Sequence, residues 1–497
     1  MTTNQGSTHL ERTGVSMKRQ AVLLFSFILI TAAILRAQDR SPYVPETDPL
    51  VVKKLAAWQG LKFGLMMTWG PYSQWGVVES WSICAEDEPW CQRNAPDYVR
   101  YKQDYEGLKK TFNPVQFDPA KWARAAKDAG IRYVVGMAKH HDGFCMFDTR
   151  TTDYGVTDPG TPFSSHPKAN ILKEILTAFR AEGLWAGIYF SKPDWHSENY
   201  WWPYFPTPDR NVNYDIKKYP DRWKRFVGFT HTQIEELMTG YGPVDILWLD
   251  GGWVQPMTRE EVLHYITAPD YKFSHIQSQD IYMPELARMA RGHQPGLIVV
   301  DRAVHGKYQN YLTPENVVPD TLLPYPWESC ITATTSWSYT FKDQYKSGRE
   351  LIHMLVDIVA KGGNLLLNIG PGPDGTWQQE AYDRLAEVGA WMKVNSSAIY
   401  DTHPIAPYRE GAVRLTQGKD GAVYAVMLAG KGETMPPETV RLSSLRPAAG
   451  ARVSLLGSTA TLAWKNTGKG CEITIPASVR TKAPCKEAWV VRISQVQ

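Results

Sequence analysis

Acidic, imidazole and guanidinium side chains follow four apolar segments of the sequence, with aromatic residues among them. Glycoside hydrolysis needs one carboxylate as nucleophile or base and one carboxyl group as general acid. Aromatic rings supply an apolar surface against which a sugar ring can stack. These residue types therefore predict a pocket that binds and cleaves sugars. Its candidate members are His140 and His141, Tyr189, Trp248 with Asp250, and Asp301 with Arg302.

The apolar segments have the length and composition of strands buried on both faces, as in a parallel sheet. They alternate with predicted helices between about residue 50 and residue 400. Alternation over this length predicts an α/β fold, a (β/α)8-like catalytic barrel in residues 45–404. The C-terminal ends of barrel strands converge on one mouth, so the residues that follow them should meet. The predicted strands are 61–67, 131–137, 184–190, 244–249, 296–300 and 364–369.

The pattern changes after residue 404 to closely spaced short strands separated by turn residues. This spacing predicts a C-terminal antiparallel β-sandwich over residues 405–497. The domain has no obvious aromatic platform, which favours a role in bracing the barrel over a role in carbohydrate binding.

Two of the candidate positions also have simpler interpretations. Asp250 precedes two glycines and could be a turn or helix-capping residue after an ordinary core strand. His140 and His141 could bind a metal ion, but adjacent strand residues point to opposite faces and no third ligand is evident. Hydrogen bonding to ligand hydroxyls is the favoured role of this pair.

The N-terminal segment has the pattern of a secretory signal peptide. The basic pair Lys18-Arg19 precedes the apolar run 21–35, and the small residue Ala37 follows. The run is shorter than the roughly 20 residues that a membrane-spanning helix needs. Residues 1–37 are therefore predicted to be removed, with Met17 as an alternative start. The mature chain is predicted to be exported, periplasmic or secreted, and not held in a membrane.

Export would permit disulfide bonds among the six cysteines. Two pairs could form on sequence proximity, and the remaining two cysteines are interpreted as buried thiols. The pairs are Cys84 with Cys91 and Cys471 with Cys485, and the buried thiols are Cys145 and Cys330.

Charge and motifs narrow the classes of function. The 497 residues carry a formal net charge of +3 without a long run of like charge. This balance argues against nucleic acid or an anionic membrane surface as the main partner. The sequence contains no CxxC, HExxH or P-loop pattern, so zinc-finger, zincin and nucleotide-phosphate functions lack support. The sequence is compatible with a monomer or an oligomer.

Five motifs in order resemble glycoside hydrolase family 29, the retaining exo-α-L-fucosidases. The resemblance spans roughly residues 55–404, and the C-terminal domain also fits. It implies a double-displacement reaction that releases terminal α-L-fucose from a fucosylated oligosaccharide or glycoconjugate, without metal or cofactor. The motifs are KFGLMMTWGPYSQWG (62–76), KHHDGF (139–144), DILWLDGGW (245–253), GGNLLLNIGPGPDGTW (362–377) and VGAWMKVNSSAIYDTHP (388–404).

The resemblance also implies roles for individual residues. Asp250 matches the nucleophile, which would form a covalent glycosyl-enzyme. Trp248, His140 and His141 match residues that hold the hydroxyls and ring of the sugar. Trp81 matches an aromatic residue of the first loop.

Three further assignments follow from the resemblance with less fixed alignment. Tyr189 lies near a family tyrosine that touches the sugar, although Phe190 could equally be the aligned residue. Arg302 belongs to the segment that matches the family's NDR, and it is placed among the substrate-binding residues. The general acid/base comes from a variable loop after that segment. Glu315 in YLTPEN is the better match, and Glu328 in PWESC is the runner-up.

One departure from the family concerns recognition. The family usually has histidine in FIHWG, where it hydrogen-bonds a fucose hydroxyl, and this chain has Thr68. The usual SEW is also displaced, to Glu79-Ser80-Trp81. The shorter threonine motivates a second hypothesis, the same mechanism acting on an α-L-galactoside or a decorated fucoside. A third hypothesis is a barrel that binds glycans without cleaving them, against which the presence of Asp250 and both glutamates argues.

Overall fold

A computed structural model describes residues 43–497, except 85–92, 94, 96, 206–208, 269–272 and 274. The predicted signal peptide and Cys91 lie outside the described residues. Within them the helices are α1 Pro49–Leu61, α2 Tyr98–Glu106, α3 Pro119–Asp128, α4 Ile171–Ala181, α5 Pro220–Gly240, α6 Arg259–Ile266, α7 Met283–His293, α8 Gly348–Ala360, α9 Gln379–Asn395 and α10 Ala477–Arg480. The strands are β1 Phe63–Met66, β2 Tyr133–Lys139, β3 Trp185–Ser191, β4 Ile246–Asp250, β5 Ile298–Asp301, β6 Glu328–Thr332, β7 Asn364–Asn368, β8 Thr402–Glu410, β9 Val413–Gly418, β10 Val423–Leu428, β11 Thr439–Leu442, β12 Val453–Leu455, β13 Ala463–Thr467, β14 Gly470–Thr474 and β15 Ala488–Ile493.

The first seven strands form one parallel sheet in the order β5-β4-β3-β2-β1-β7-β6. Both edge strands are also hydrogen-bonded to segment 308–316. Asn310 N donates to Val299 O of β5 at 3.0 Å, and Glu328 N of β6 donates to Leu312 O at 2.8 Å. This irregular segment thus continues the hydrogen bonding from one edge of the sheet to the other. The predicted α/β barrel fold is confirmed, with seven regular strands among the described residues instead of eight.

Helix boundaries follow from local sequence signals. The Asp118 side chain accepts a hydrogen bond from Lys121 N, and Pro119 occupies the first turn of α3. Asp118 is therefore the N-cap of α3. After α3 and α4 the chain passes through Gly130 and Gly183, whose φ values are +90° and +77°. Glycine adopts this left-handed conformation without steric cost, so each helix ends there and the chain enters the next strand.

Two buried ion pairs fix the loops beyond β2 and β3. Lys139 Nζ, at the end of β2, lies 2.7 Å from Asp194 Oδ2 in the loop after β3. Lys192, directly after β3, contacts Asp301 Oδ1 at the end of β5. Removing one partner of a buried pair leaves an uncompensated charge in the interior, which is strongly unfavourable. These pairs therefore hold neighbouring strand ends in a fixed arrangement.

The C-terminal residues form two antiparallel sheets, as predicted. One has the order β12-β15-β10-β9-β8 and the other the order β11-β14-β13. Alternate residues of β10 divide between two cores: Val423 and Ala425 pack between the two sheets, whereas Tyr424 and Val426 join the barrel core. Side chains of a strand alternate between its faces, so one sheet serves both cores.

Contacts between barrel and C-terminal sheets agree with the predicted bracing role. Residues 45–497 form one compact unit. Trp391 Nε1 of α9 donates to Ala488 O of β15 at 2.9 Å, and Arg414 of β9 pairs with Asp357 of α8. Strand β8 spans the predicted boundary at 404/405.

The predicted pairing of Cys471 with Cys485 is wrong, since both are free thiols. Cys471 is buried in β14, whereas Cys485 donates from Sγ to Ala488 O at 3.3 Å. The buried thiols predicted at Cys145 and Cys330 are confirmed. No helix within the described ranges is long and apolar enough to cross a membrane.

Candidate active site

A cavity of about 250 Å³ opens at the C-terminal edge of the parallel sheet. It brings together eight residues that the sequence placed in a binding or catalytic site, which are Trp81, His140, His141, Tyr189, Trp248, Asp250, Arg302 and Glu315. Asp301, which was also predicted for the pocket, does not line it and pairs with Lys192 instead. The convergence of the eight residues follows from the parallel topology, because each follows or ends a strand or lies in an adjoining loop. The remaining lining residues are Met66, Thr68, Glu79, Arg210, Trp253, Cys330 and Trp337.

Asp250, the last residue of β4, is held by donors on both carboxylate oxygens. Arg302 Nη1 donates to Oδ1 at 2.9 Å, and the Tyr189 hydroxyl donates to Oδ2 at 2.7 Å. Gly251 N also donates to Oδ1, at 2.8 Å. Burial alone would raise the pKa of this carboxyl, but the charge of Arg302 and these hydrogen bonds hold it well below its usual range. Asp250 is therefore ionised at neutral pH and is positioned more firmly than a turn residue would need.

The structure distinguishes Tyr189 from Phe190, which sequence alignment left open. Both residues belong to β3, where neighbouring side chains point to opposite faces. Tyr189 lines the cavity, whereas Phe190 is buried beneath the Lys139 ammonium, 4.7 Å from its ring centroid. Trp248 of β4 stacks on Tyr189 with ring centroids 5.3 Å apart.

Arg302 joins two carboxyl groups. Its Nη1 binds Asp250, and its Nη2 contacts Glu315 Oε2. Glu315 lies in the irregular segment 308–316, where Asn316 N donates to Cys330 O at 2.9 Å and so ties the segment to β6. The Glu315 side chain is 44% exposed, in contrast to 13% for Asp250. One carboxyl thus lies inside the cavity and the other at its opening, with one guanidinium between them.

Glu328, the runner-up for the acid, does not line the cavity. It begins β6 and is fully buried, where its carboxyl accepts hydrogen bonds from the Tyr133 hydroxyl and from Trp248 Nε1, the latter at 3.3 Å. Burial raises the pKa of Glu328 to about 7 against these hydrogen bonds. Its hydrogen bond holds Trp248 in position, and its carboxyl group lies outside the cavity in which the leaving oxygen of a sugar would be protonated.

Glu79 is a lining residue that sequence reasoning noted only as part of a displaced motif. It is 1% exposed and accepts a hydrogen bond from Ser338 N at 3.0 Å. Burial raises the pKa of Glu79 to about 8, and the negative charges of Glu315 and Asp250 act in the same direction. The cavity therefore holds a carboxyl group that stays protonated at neutral pH.

His140 and His141 both line the cavity, contrary to the expectation that adjacent residues point apart. Strand β2 ends at Lys139, so the alternation of strand faces no longer applies to them. With Asp250 they form a group whose ligand atoms lie within 4.8 Å of one another, the third ligand that the sequence did not reveal. The Arg302 guanidinium already neutralises Asp250 there, which opposes a second positive charge.

Aromatic rings form the walls of the cavity. Trp81 meets the His141 ring edge-on at 5.3 Å, and Trp253 lies 5.2 Å from the same ring. The Arg210 guanidinium lies over the Trp81 and Trp253 rings, 4.7 and 5.1 Å from their centroids. Arg210 and Trp337 come from loops between elements, and no spacing in the sequence points to them. Trp253 ends the motif 245–253, although the sequence analysis gave it no role.

The cavity has aromatic walls, lies at the C-terminal mouth of an α/β barrel and holds two carboxyl groups that one guanidinium contacts. This fold and this site are those of a glycoside hydrolase. The alpha-L-fucosidase family model matches residues 30–397, and the alpha-L-fucosidase C-terminal domain model matches residues 408–494. The chain belongs to the alpha-L-fucosidase family, glycoside hydrolase family 29, as its motifs predicted.

Relatives and solved structures agree with this membership. Plasma alpha-L-fucosidase of Rattus norvegicus is 28% identical, over 96% of this chain and 100% of the relative. Alpha-L-fucosidase isoenzyme 1 from Paenibacillus thiaminolyticus superposes with a TM-score of 0.71 at 27% identity, covering 90% of this chain and 100% of that one. Thermotoga maritima alpha-fucosidase in complex with fucose gives 0.65 at 26% identity, covering 88% and 96%.

Proposed function

We propose that this enzyme is an exo-acting α-L-fucosidase that works by double displacement with Asp250 as nucleophile. The observation that carries the proposal is the ionised Asp250 inside an aromatic cavity, linked to Glu315 through one guanidinium. A retaining pair of carboxyls lies about 5–5.5 Å apart, and a guanidinium that contacts both is compatible with that spacing. The fucose complex of the Thermotoga maritima relative supports the choice of glycone.

In the first step, an Asp250 oxygen forms a bond to the anomeric carbon as the bond to the leaving oxygen breaks. Glu315 gives its proton to that oxygen and becomes a carboxylate. In the second step, a water molecule gives a proton to Glu315, and the water oxygen attacks the anomeric carbon. The bond between that carbon and Asp250 breaks, which frees Asp250. Two inversions give net retention of configuration. Arg302 and Tyr189 hold Asp250 in line throughout, which limits the reorganisation that the reaction requires.

A second glycone is favoured by the contacts of Thr68. Its hydroxyl donates to Asn368 Oδ1 at 2.8 Å, and Asn368 also accepts from Thr68 N at 3.0 Å. The hydroxyl hydrogen is thus directed at the protein and not at a sugar. Because threonine is also shorter than the family's histidine, space next to it would accommodate an extra exocyclic hydroxyl, as in an α-L-galactoside.

A panel of aryl α-L-glycosides tests the proposal. We expect the fucoside to be cleaved, with kcat/KM for the α-L-galactoside within about tenfold of it, because one lost hydrogen bond costs about 1 kcal/mol. Thr68→His should shift the ratio about tenfold toward the fucoside. Thr68→Val, which keeps the volume and loses only the bond to Asn368, should leave the ratio unchanged. Absence of cleavage of every α-L-glycoside in the panel would contradict the proposal.

We also propose that the mature protein is exported, periplasmic or secreted, after cleavage behind Ala37. The basic pair and the apolar run before Ala37 support this proposal. N-terminal sequencing of the full chain expressed in a bacterial host should give a mature protein that begins at Gln38. Retention of residues 18–37 in protein from the exported fraction would contradict cleavage there.

A further inference from the structure

The two adjacent histidines of the cavity each contact a serine through Nδ1. Ser80 Oγ lies 2.6 Å from His140 Nδ1, and Ser191 Oγ lies 2.7 Å from His141 Nδ1. The imidazoles are buried, and both rings line the cavity. Because a serine occupies Nδ1 of each ring, Nε2 is the nitrogen left for a ligand. The hydrogen bonds of the two serines differ, and this difference fixes where each imidazole carries its hydrogen.

Ser80 is a hydrogen-bond donor to His140. Its Oγ accepts from Asp142 N at 2.9 Å, so one lone pair of the hydroxyl is already used. Among the described residues, His140 Nδ1 is the one acceptor within reach of the hydroxyl hydrogen. If Nδ1 carried a hydrogen instead, the buried hydroxyl hydrogen would have no partner, which is unfavourable. His140 Nδ1 therefore accepts, and the neutral ring carries its hydrogen on Nε2.

Ser191 is a hydrogen-bond acceptor from His141. Its Oγ donates to Pro193 O at 2.7 Å, and a carbonyl oxygen can only accept. The single hydroxyl hydrogen is used in that bond, so toward His141 Nδ1 the serine offers only a lone pair. His141 Nδ1 must carry the hydrogen, since two lone pairs facing each other at 2.7 Å would repel. The neutral ring then has an unprotonated Nε2.

Asp250 exerts the opposite preference on His141 but is too distant to decide it. His141 Nε2 lies 3.8 Å from Asp250 Oδ2, beyond the range of a hydrogen bond. Burial lowers the pKa of His140 to about 4 and that of His141 well below its usual range. Both rings are accordingly neutral at pH 7, where a neutral imidazole has one donor and one acceptor nitrogen.

We infer that His140 and His141 are held in opposite tautomers, so that the sugar meets an N–H donor at His140 and a bare nitrogen acceptor at His141. Ser80 and Ser191 are the positioning residues. This inference rests on the proposed function for the identity of the ligand, a glycone with neighbouring hydroxyls. His140 donates a hydrogen bond to the oxygen of one sugar hydroxyl, and His141 accepts a hydrogen bond from another hydroxyl. Two identical tautomers could not do both.

The tautomers can be measured without turnover. Full-length enzyme with ¹⁵N-labelled histidine is examined at pH 7 by two-bond ¹H–¹⁵N correlation spectra, with His140→Gln and His141→Gln spectra for assignment. We expect a hydrogen on Nε2 of His140 and on Nδ1 of His141. The same tautomer at both residues, or an imidazolium at either, would overturn the inference. An enzyme that cleaves no fucoside could still give the expected spectrum, so the two failures are distinguishable.

Serine variants test the cause. Ser191→Ala should release His141 into a mixture of tautomers and raise KM for an aryl fucoside about tenfold, because one hydrogen bond to the sugar is weakened. Ser80→Ala should do the same at His140. Ser73→Ala is the matched control: this buried serine, outside the cavity, donates to Gly70 O at 2.8 Å. The Ser73→Ala variant should leave both tautomers unchanged. Unaltered tautomers in Ser80→Ala and Ser191→Ala would show that the two serines do not set the tautomers of the histidines.

Discussion

Replacing Asp250 by alanine is expected to lower kcat for an aryl α-L-fucoside by about 10⁵-fold, the scale on which removal of a nucleophile acts. The carboxylate is ionised through Arg302 and Tyr189, and no other described carboxyl of the cavity shares this environment. Addition of azide should restore part of the activity by replacing the missing nucleophile. The product of that reaction should be the β-L-fucosyl azide, because a single displacement inverts the anomeric carbon.

Asp245→Asn is the matched control for this variant. Asp245 immediately precedes β4, at the end opposite the cavity, where it pairs with Lys54 at 2.8 Å. Its replacement should lower thermal stability, because the pair is only partly exposed, and should leave kcat within about twofold, because Asp245 does not touch substrate. Wild-type enzyme should release α-L-fucose first when followed by ¹H NMR. A β-configured first product, or a fluorosugar adduct on a residue other than Asp250, would refute the nucleophile assignment.

The regular part of the barrel could be predicted because its signals are local. Apolar runs followed by a carboxylate or an imidazole marked the strand ends, and the limits of α3 coincide with the local signals of an N-cap aspartate, Asp118, and a left-handed glycine, Gly130. Segment 308–316 could not be predicted as the closing element, because its bonds to β5 and β6 depend on tertiary position. Helix α2 has no apolar face that would predict it, because Tyr105 is the one buried residue within it.

The residues of the site also divide into those that a local sequence signal predicts and those that depend on tertiary position. Residues at strand ends, such as Asp250 and Tyr189, converge in any parallel barrel, so chain order sufficed to group them. Glu79 enters from a long loop, and its protonation depends on burial beside Glu315, which the sequence does not express. The pairing of Cys471 with Cys485 failed because proximity in sequence does not bring two thiols into disulfide geometry: Cys471 lies in β14, whereas Cys485 lies in the loop before β15.

Glu315→Gln is expected to lower kcat/KM about 10²–10⁴-fold for a fucoside with a poor leaving group, the range of general acid–base catalysis. The loss should be smaller for a dinitrophenyl leaving group, which needs no proton. Glu315 is the carboxyl at the mouth of the cavity, in contact with the Arg302 that also holds Asp250. Azide should react with the glycosyl-enzyme of this variant and give the α-L-fucosyl azide, since two inversions then occur.

Glu79→Gln is the matched control for the assignment of Glu315 as the general acid/base. Glu79 is a cavity carboxyl that is neutral below about pH 8, so glutamine reproduces its charge and shape at neutral pH. Activity at pH 7 should stay within about tenfold, without azide rescue, because a hydrogen bond and not a proton transfer is altered. In the wild type, ionisation of Glu79 above about pH 8 adds a negative charge beside that of Asp250, and kcat/KM should fall; in Glu79→Gln this fall should move to higher pH. If instead Glu79→Gln showed the leaving-group dependence and the α-azide product, and Glu315→Gln did not, the acid/base would be Glu79.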